Sequence, residues 1–422
     1  MACPARHTPT GMNDRPDQPR PLMRRGPRPL LLHLTLAMLR SNVSRATSPL
    51  WNADWQTSSV AAILQSIQIA VQHGGHENEF SSEVVAETIR QDTALIEGIA
   101  AYRRHPFHRT LTDPPAVWSE GGTRLLDYGT AAGRAVLFVP SLINRAYVLD
   151  LAEGHSMLRW FAGQGVRPLL LDWGWPAETE RRFSMTDYVA GRLERAMAAA
   201  VRITGTPPVL AGYCMGGTLA VAAAQRRPDL ISGLALLAAP WDFHAPDPTR
   251  ALQAAETLPL LEPALAFSQS LPVDVLQSLF ALLDPWGVAD KYRGFANQAP
   301  DSARARLFVA LEDWLNDGVP LAADVARACL GEWYGENAPA RGTWRIAGLP
   351  VDPTSIAMPT FVAVPGHDRI VPPESARPLA QLIPGAVLHQ PTAGHIGMAA
   401  GGRAEASLWR PLLDWLQAAK RG

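Results

Sequence analysis

Only three cysteines occur in 422 residues, Cys3, Cys214 and Cys329, and none lies close enough in sequence to another to resemble a zinc site or a redox pair. That scarcity argues against a disulfide framework and fits a reduced, cytoplasmic setting. Lysine is nearly missing too, present only at Lys291 and Lys420, so arginine carries almost all the positive charge. The net charge is −1, which leaves no field of one sign to recruit nucleic acid. No apolar run approaches the roughly 20 residues that span a bilayer, so no transmembrane segment is expected. The nearest run, Leu30 to Leu39, is interrupted by His33, and the stretch after it, Arg40-Ser41-Asn42-Val43-Ser44-Arg45-Ala46, makes a poor secretory cleavage site.

What is present is an ordinary globular balance, 47% hydrophobic and 18% charged. Residues 1–28 are rich in proline and arginine and read as a disordered tail. Residues 29–123 read as a helical N-terminal region, with Ile63, Ile67 and Val71 at helical spacing. From 124 the pattern turns to short buried runs alternating with helices: Ala135 to Val139, Pro168 to Leu171, Pro208 to Ala211, Gly233 to Leu237, Thr360 to Val364 and Ala386 to His389. Such runs are typical of parallel strands, and the alternation predicts a doubly wound, mostly parallel α/β sheet over 124–240 and 348–422. The interval 241–347 is too long for a loop and holds Trp241, Trp286, Trp314, Trp333 and Trp344, which predicts an inserted helical cap. A last helix, with Pro411 in its first turn, would lay Leu412, Trp415 and Leu416 on the sheet.

The chemistry concentrates at Gly212-Tyr213-Cys214-Met215-Gly216-Gly217, directly after the strand ending at Ala211 and directly before a helix. This is the nucleophile elbow of the α/β-hydrolase fold, with cysteine in the place of serine. The bend demands small residues two before and two after the nucleophile, and both are glycine. The backbone N–H of Met215 becomes one oxyanion donor, and a second is expected from the loop Pro140 to Asn144, where Pro140 has no N–H and Leu142 or Ile143 remain. An ordinary thiol titrates near about 8.5, so a base is needed. In this fold an acid and then a histidine follow the nucleophile, each on a loop after a strand, and Asp368 and His395 occupy those places. His367 and His389 are rivals for the base but read as structural, as do Cys3 and Cys329.

From about Tyr128 onward the chain resembles polyhydroxyalkanoate synthases, most closely the shorter class III type. The similar stretches are Phe138 to Asp150, Leu171 to Pro176, the elbow Gly212 to Gly217, Trp314 to Pro320 and Gly394 to Met398. The resemblance implies Cys214, Asp368 and His395 as catalytic residues. It implies a hydroxyacyl-CoA substrate, with CoA entering as part of that substrate and no separate cofactor or metal. It leaves open a polyester granule surface and either a second synthase subunit or a homodimer as partners. The chain departs from the pattern at Arg369, where such synthases usually carry histidine directly after the acid.

In the reaction so implied, Cys214 takes the acyl group from the thioester and releases CoA, and a hydroxyl activated by His395 then takes it from the sulfur. Two rival readings keep the same residues. A polyester depolymerase or acyl-CoA thioesterase would use water as acceptor, and an inactive granule-associated protein would keep the fold for binding.

Overall fold

The computed structural model describes residues 24–47, 77–129, 133–281 and 283–418. The expected tail through residue 23, Cys3, and the helical positions Ile63, Ile67 and Val71 lie outside the described residues. Residues 24–28, assigned to that tail on composition, are anchored instead. Arg24 pairs with Asp313 at 2.6 Å, and Arg28 pairs with Asp274. Arginines that find carboxylates, a partly buried one at Asp313 and an exposed one at Asp274, order a segment whose composition alone reads as solvated.

Eight strands form the central sheet. In chain order they are β1 Ala116–Glu120, β2 Thr123–Asp127, β3 Arg134–Val139, β4 Val166–Asp172, β5 Val209–Tyr213, β6 Gly233–Leu237, β7 Thr360–Ala363 and β8 Val387–His389. Across the sheet they run β1-β2-β4-β3-β5-β6-β7-β8. β1 and β2 pair antiparallel, as do β2 and β4; every other pairing is parallel. The sheet therefore begins at Ala116, ahead of the boundary expected at 124. β1 is a mostly exposed edge strand, and neither it nor β2, Thr-Arg-Leu-Leu-Asp, has the continuous apolar run that marks the central strands.

Side chains of the central strands alternate between two cores. Leu137, Val139, Leu210, Leu234, Leu236 and Val362 face one, with the helix Met215–Arg226 packed on them. Val136, Phe138, Val209, Ala211, Leu237 and Phe361 face the other, which the helix Arg410–Ala418 covers. In that helix Leu412 and Leu416 are buried, and the Trp415 ring lies 5.6 Å from Phe361.

Between β6 and β7 the chain forms a layer of helices, among them Val273–Ala281, Gly287–Ala296 and Ala303–Asn316. Its aromatic residues divide by role. Trp241, Trp333 and Trp344 are buried and meet edge to face, with centroids 6.2 Å apart for Trp241–Trp344 and 5.3 Å for Trp333–Trp344. Trp286 is exposed under the Arg40 guanidinium. The N-terminal helices Leu30–Thr47 and Glu77–Arg104 dock on this layer rather than on the sheet, burying Ala37, Leu95, Ile99 and Tyr102 against Tyr292, Phe295 and Val309. No helix among the described residues is long and apolar enough to cross a membrane.

Candidate active site

β5 ends at Tyr213 and the next helix starts at Met215, so Cys214 alone makes the turn, with φ 56° and ψ −132°. A non-glycine residue with positive φ is strained and persists only where its surroundings hold it. Here the Cys214 N–H donates to the Leu237 carbonyl of β6 at 2.9 Å, and its carbonyl accepts from the Gly217 N–H at 2.8 Å. The flanking glycines are required by close backbone approach. A Cβ at Gly212 would stand 2.4 Å from the Gly217 Cα, and one at Gly216 would stand 2.1 Å from the Val139 carbonyl oxygen. The consequence is a half-buried sulfur held at the carboxyl end of the sheet.

Asp368 lies on the turn after β7 and is buried. Its Oδ1 accepts from the backbone N–H groups of Ile370 at 2.8 Å and Val371 at 2.9 Å, which leaves Oδ2 to meet His395 Nδ1 at 2.6 Å. His395 opens the helix His395–Ala400 beyond β8. Its carbonyl accepts from the Tyr213 hydroxyl at 3.2 Å, so the residue before the cysteine ties the two loops together. The imidazole and the Cys214 side chain line one cavity.

Burial disfavours the charged ring, but the Cys214 sulfur and then the Asp368 carboxylate outweigh it and hold His395 up at about 10. The imidazolium is therefore the form present at neutral pH, and it deprotonates only as pH rises through that value. Replacing Cys214 with alanine removes the largest of the raising interactions, so the His395 titration, followed by NMR of its ring nitrogens, is expected to move down. An unmoved midpoint would show that the sulfur carries no charge facing the ring.

The other candidates stand elsewhere. His367 is exposed, while His389 bonds the Ser407 carbonyl at 2.7 Å and stacks on Phe361. Cys329 is buried, and burial pushes its thiol up, which disfavours the thiolate. Arg369, at the place where synthases usually have histidine, is largely exposed; it pairs with Asp284 of the inserted layer at 2.8 Å, and both residues line the cavity beside Cys214.

A cavity of about 240 Å³ opens beside Cys214 and His395. The sheet side supplies Ile143, Ile370 and Ile396 to its wall, and the inserted layer supplies Phe280, Leu283 and Trp314. Of the two expected second donors, Ile143 lines this cavity, and its N–H donates to the Ser141 hydroxyl at 3.2 Å. Met215 is the first residue of its helix, where backbone N–H groups lack intrahelical partners.

The loop 140–145 is held from two sides. Trp173 Nε1 donates to the Pro140 carbonyl at 2.9 Å, Trp314 Nε1 donates to the Arg145 carbonyl at 2.7 Å, and the Val319 N–H donates to the Ile143 carbonyl at 3.0 Å. Stretches far apart in sequence, Leu171 to Pro176 and Trp314 to Pro320, thus converge on one loop. Sequence reasoning assigned Trp314, Gln277 and Phe280 no place in the site. The signal available was that Trp314 begins one of the stretches that carried the family resemblance. Among the described residues no group of three or more His, Cys, Asp or Glu side chains is arranged to hold a metal ion.

The family model described as the alpha/beta hydrolase fold matches residues 135–400. The poly(3-hydroxyalkanoate) polymerase subunit PhaC of Haloferax mediterranei is 30% identical over 315 residues, covering 72% of this chain and 63% of that protein. The chain thus spans under two thirds of that relative's length. The subunit of the same name from Allochromatium vinosum is 27% identical over 311 residues, covering 71% of this chain and 87% of that protein. Among solved structures, the monoacylglycerol lipase of Paleococcus ferrophilus is similar with a TM-score of 0.45 and 16% identity, over 70% of this chain and 99% of that one.

Proposed function

The chain belongs to the alpha/beta hydrolase fold family, and from that premise we propose that it is an acyltransferase that polymerises hydroxyacyl-CoA thioesters through a covalent intermediate on Cys214. The observation that carries the reading is a cysteine at the elbow that lines one cavity with His395, whose Nδ1 stands 2.6 Å from Asp368. The polymer named in its curated relatives supplies the substrate class.

The cycle closes in protons and charge. Cys214 thiolate attacks the thioester carbonyl, and the N–H of Met215 with that of Ile143, released from Ser141, receives the oxyanion. The CoA sulfur leaves with the proton of the His395 imidazolium. Acylation removes the charge on Cys214, and with it the main influence that raised His395, so the ring becomes a base. It then takes the proton of an acceptor hydroxyl, whose oxygen attacks the acyl-enzyme and expels the thiolate. Imidazolium and thiolate face each other again. Asp368 keeps the proton on Nδ1 so that Nε2 faces the sulfur throughout.

Cysteine suits this task because exchange between thioesters is nearly neutral in energy, while the following step from thioester to oxoester runs downhill. The apolar wall of the inserted layer, Phe280, Leu283 and Leu315, favours an acyl chain and disfavours water. A granule surface or second subunit as partner is supported by exposed apolar side chains on the N-terminal helices: Leu31 and Met38 on one, Ile89 and Ile96 on the other.

Supplying 3-hydroxybutyryl-CoA and analysing the products tests the reading. Polymer together with free CoA is expected. Free 3-hydroxybutyrate as the sole acyl product would make the protein a hydrolase, and binding to granules without any CoA release would make it a scaffold.

A further inference from the structure

The Arg24 guanidinium occupies a built site on the inserted layer. Its Nε and Nη2 donate to both carboxylate oxygens of Asp313, at 2.6 and 2.7 Å, and Nη1 and Nη2 also reach the carbonyls of His105 and Phe107. Tyr102, buried beneath it with its ring centroid 5.5 Å from the guanidinium carbon, donates its hydroxyl to the same carboxylate at 2.8 Å. Only 13% of the Arg24 side chain is exposed. Such planar, multiply bonded arginine sites fix geometry in a way a point charge does not.

Asp313 and Trp314 are neighbours in the last turn of the helix Ala303–Asn316, and successive residues of a helix point about 100° apart. Asp313 faces the N-terminal segment. Trp314 lines the cavity and bonds the Arg145 carbonyl, and just beyond the helix Val319 bonds Ile143 while Asn144 bridges Gly318. A few residues after Arg24, Arg28 pairs with Asp274 on the helix that carries Gln277 and Phe280. Gln277 in turn donates to the Leu315 carbonyl at 3.1 Å.

We propose that Arg24 is a positioning residue for the oxyanion loop: by clamping Asp313 it sets the end of the helix that carries Trp314, and through the Trp314 indole it holds residues 143–145 in place. This rests on the acyl-transfer reading for its effect on rate, but the mechanical link stands on its own.

Two measurements separate the link from the reading. In Arg24→Gln, hydrogen exchange at the Trp314 indole N–H, assigned by its loss in Trp314→Phe, is expected to accelerate about tenfold, as for a bond in a loosened region. Unchanged exchange overturns the inference whatever the enzyme's activity. For CoA release, Arg24→Gln and Trp314→Phe are each expected to lower kcat about tenfold with KM nearly unchanged, less than the roughly 100-fold that a full 1 Å misplacement costs. Arg24→Lys should restore part of the loss. If Arg24 acts through Trp314, the double variant is about as slow as either single one; a product of the two losses, about 100-fold, overturns the inference. Should Arg24→Gln fail to fold, Asp313→Asn enters the same comparisons, with the same results deciding.

Discussion

Replacing Cys214 with alanine is expected to cut CoA release from 3-hydroxybutyryl-CoA by at least about ten-thousand-fold, the scale at which loss of a nucleophile leaves only binding and the oxyanion donors. The substitution removes one sulfur atom and keeps the Cβ. The backbone at that point, φ 56°, tolerates alanine, since Ala238 in the same chain sits at φ 50°. The hydrogen bonds that hold the bend, from Cys214 to Leu237 and from Gly217 to Cys214, are both made by the backbone and persist. Loss of rate in a variant that folds is therefore loss of chemistry. Full CoA release by it would discard Cys214 as nucleophile.

Asparagine in place of Asp368 is expected to lower CoA release by about 10⁴-fold while leaving the loop intact. The reason lies in how the carboxylate is divided. Oδ1 is committed to the N–H groups of Ile370 and Val371, so an asparagine would place its carbonyl there and turn its NH₂ toward His395 Nδ1. The ring must then accept at Nδ1 and carry its proton on Nε2, the wrong tautomer to act as base toward the acceptor hydroxyl. It also loses the carboxylate that helps hold the ring charged. Unimpaired turnover by this variant would show that Asp368 does not orient the imidazole.

The elbow was legible because its constraints are local. A Cβ at residue 212 or 216 meets backbone within a few residues' reach of the bend or on the adjacent strand, so the glycines announce the turn. The central strands were legible because both faces are buried, which leaves unbroken apolar runs such as Leu169-Leu170-Leu171. β1 escaped because an exposed edge strand carries no such run. Asp368 and His395 could be picked out by their loops after strands, although no pattern in sequence tells which oxygen of Asp368 meets the ring.

The Arg24–Asp313 pair spans 289 positions. A proline- and arginine-rich stretch reads the same whether its arginines are solvated or clamped to a carboxylate. Likewise nothing in the run Pro140 to Asn144 reveals that the Ser141 hydroxyl already occupies the Ile143 N–H.

The measurement closest to the chemistry is the mass of the peptide containing Cys214 after brief exposure of the protein to butyryl-CoA, a donor whose acyl chain has no hydroxyl to continue the reaction. That peptide should carry one butyryl group, removable by hydroxylamine, in step with the CoA released. CoA release with the Cys214 peptide unmodified, or with the acyl group on another residue, would contradict transfer through this sulfur.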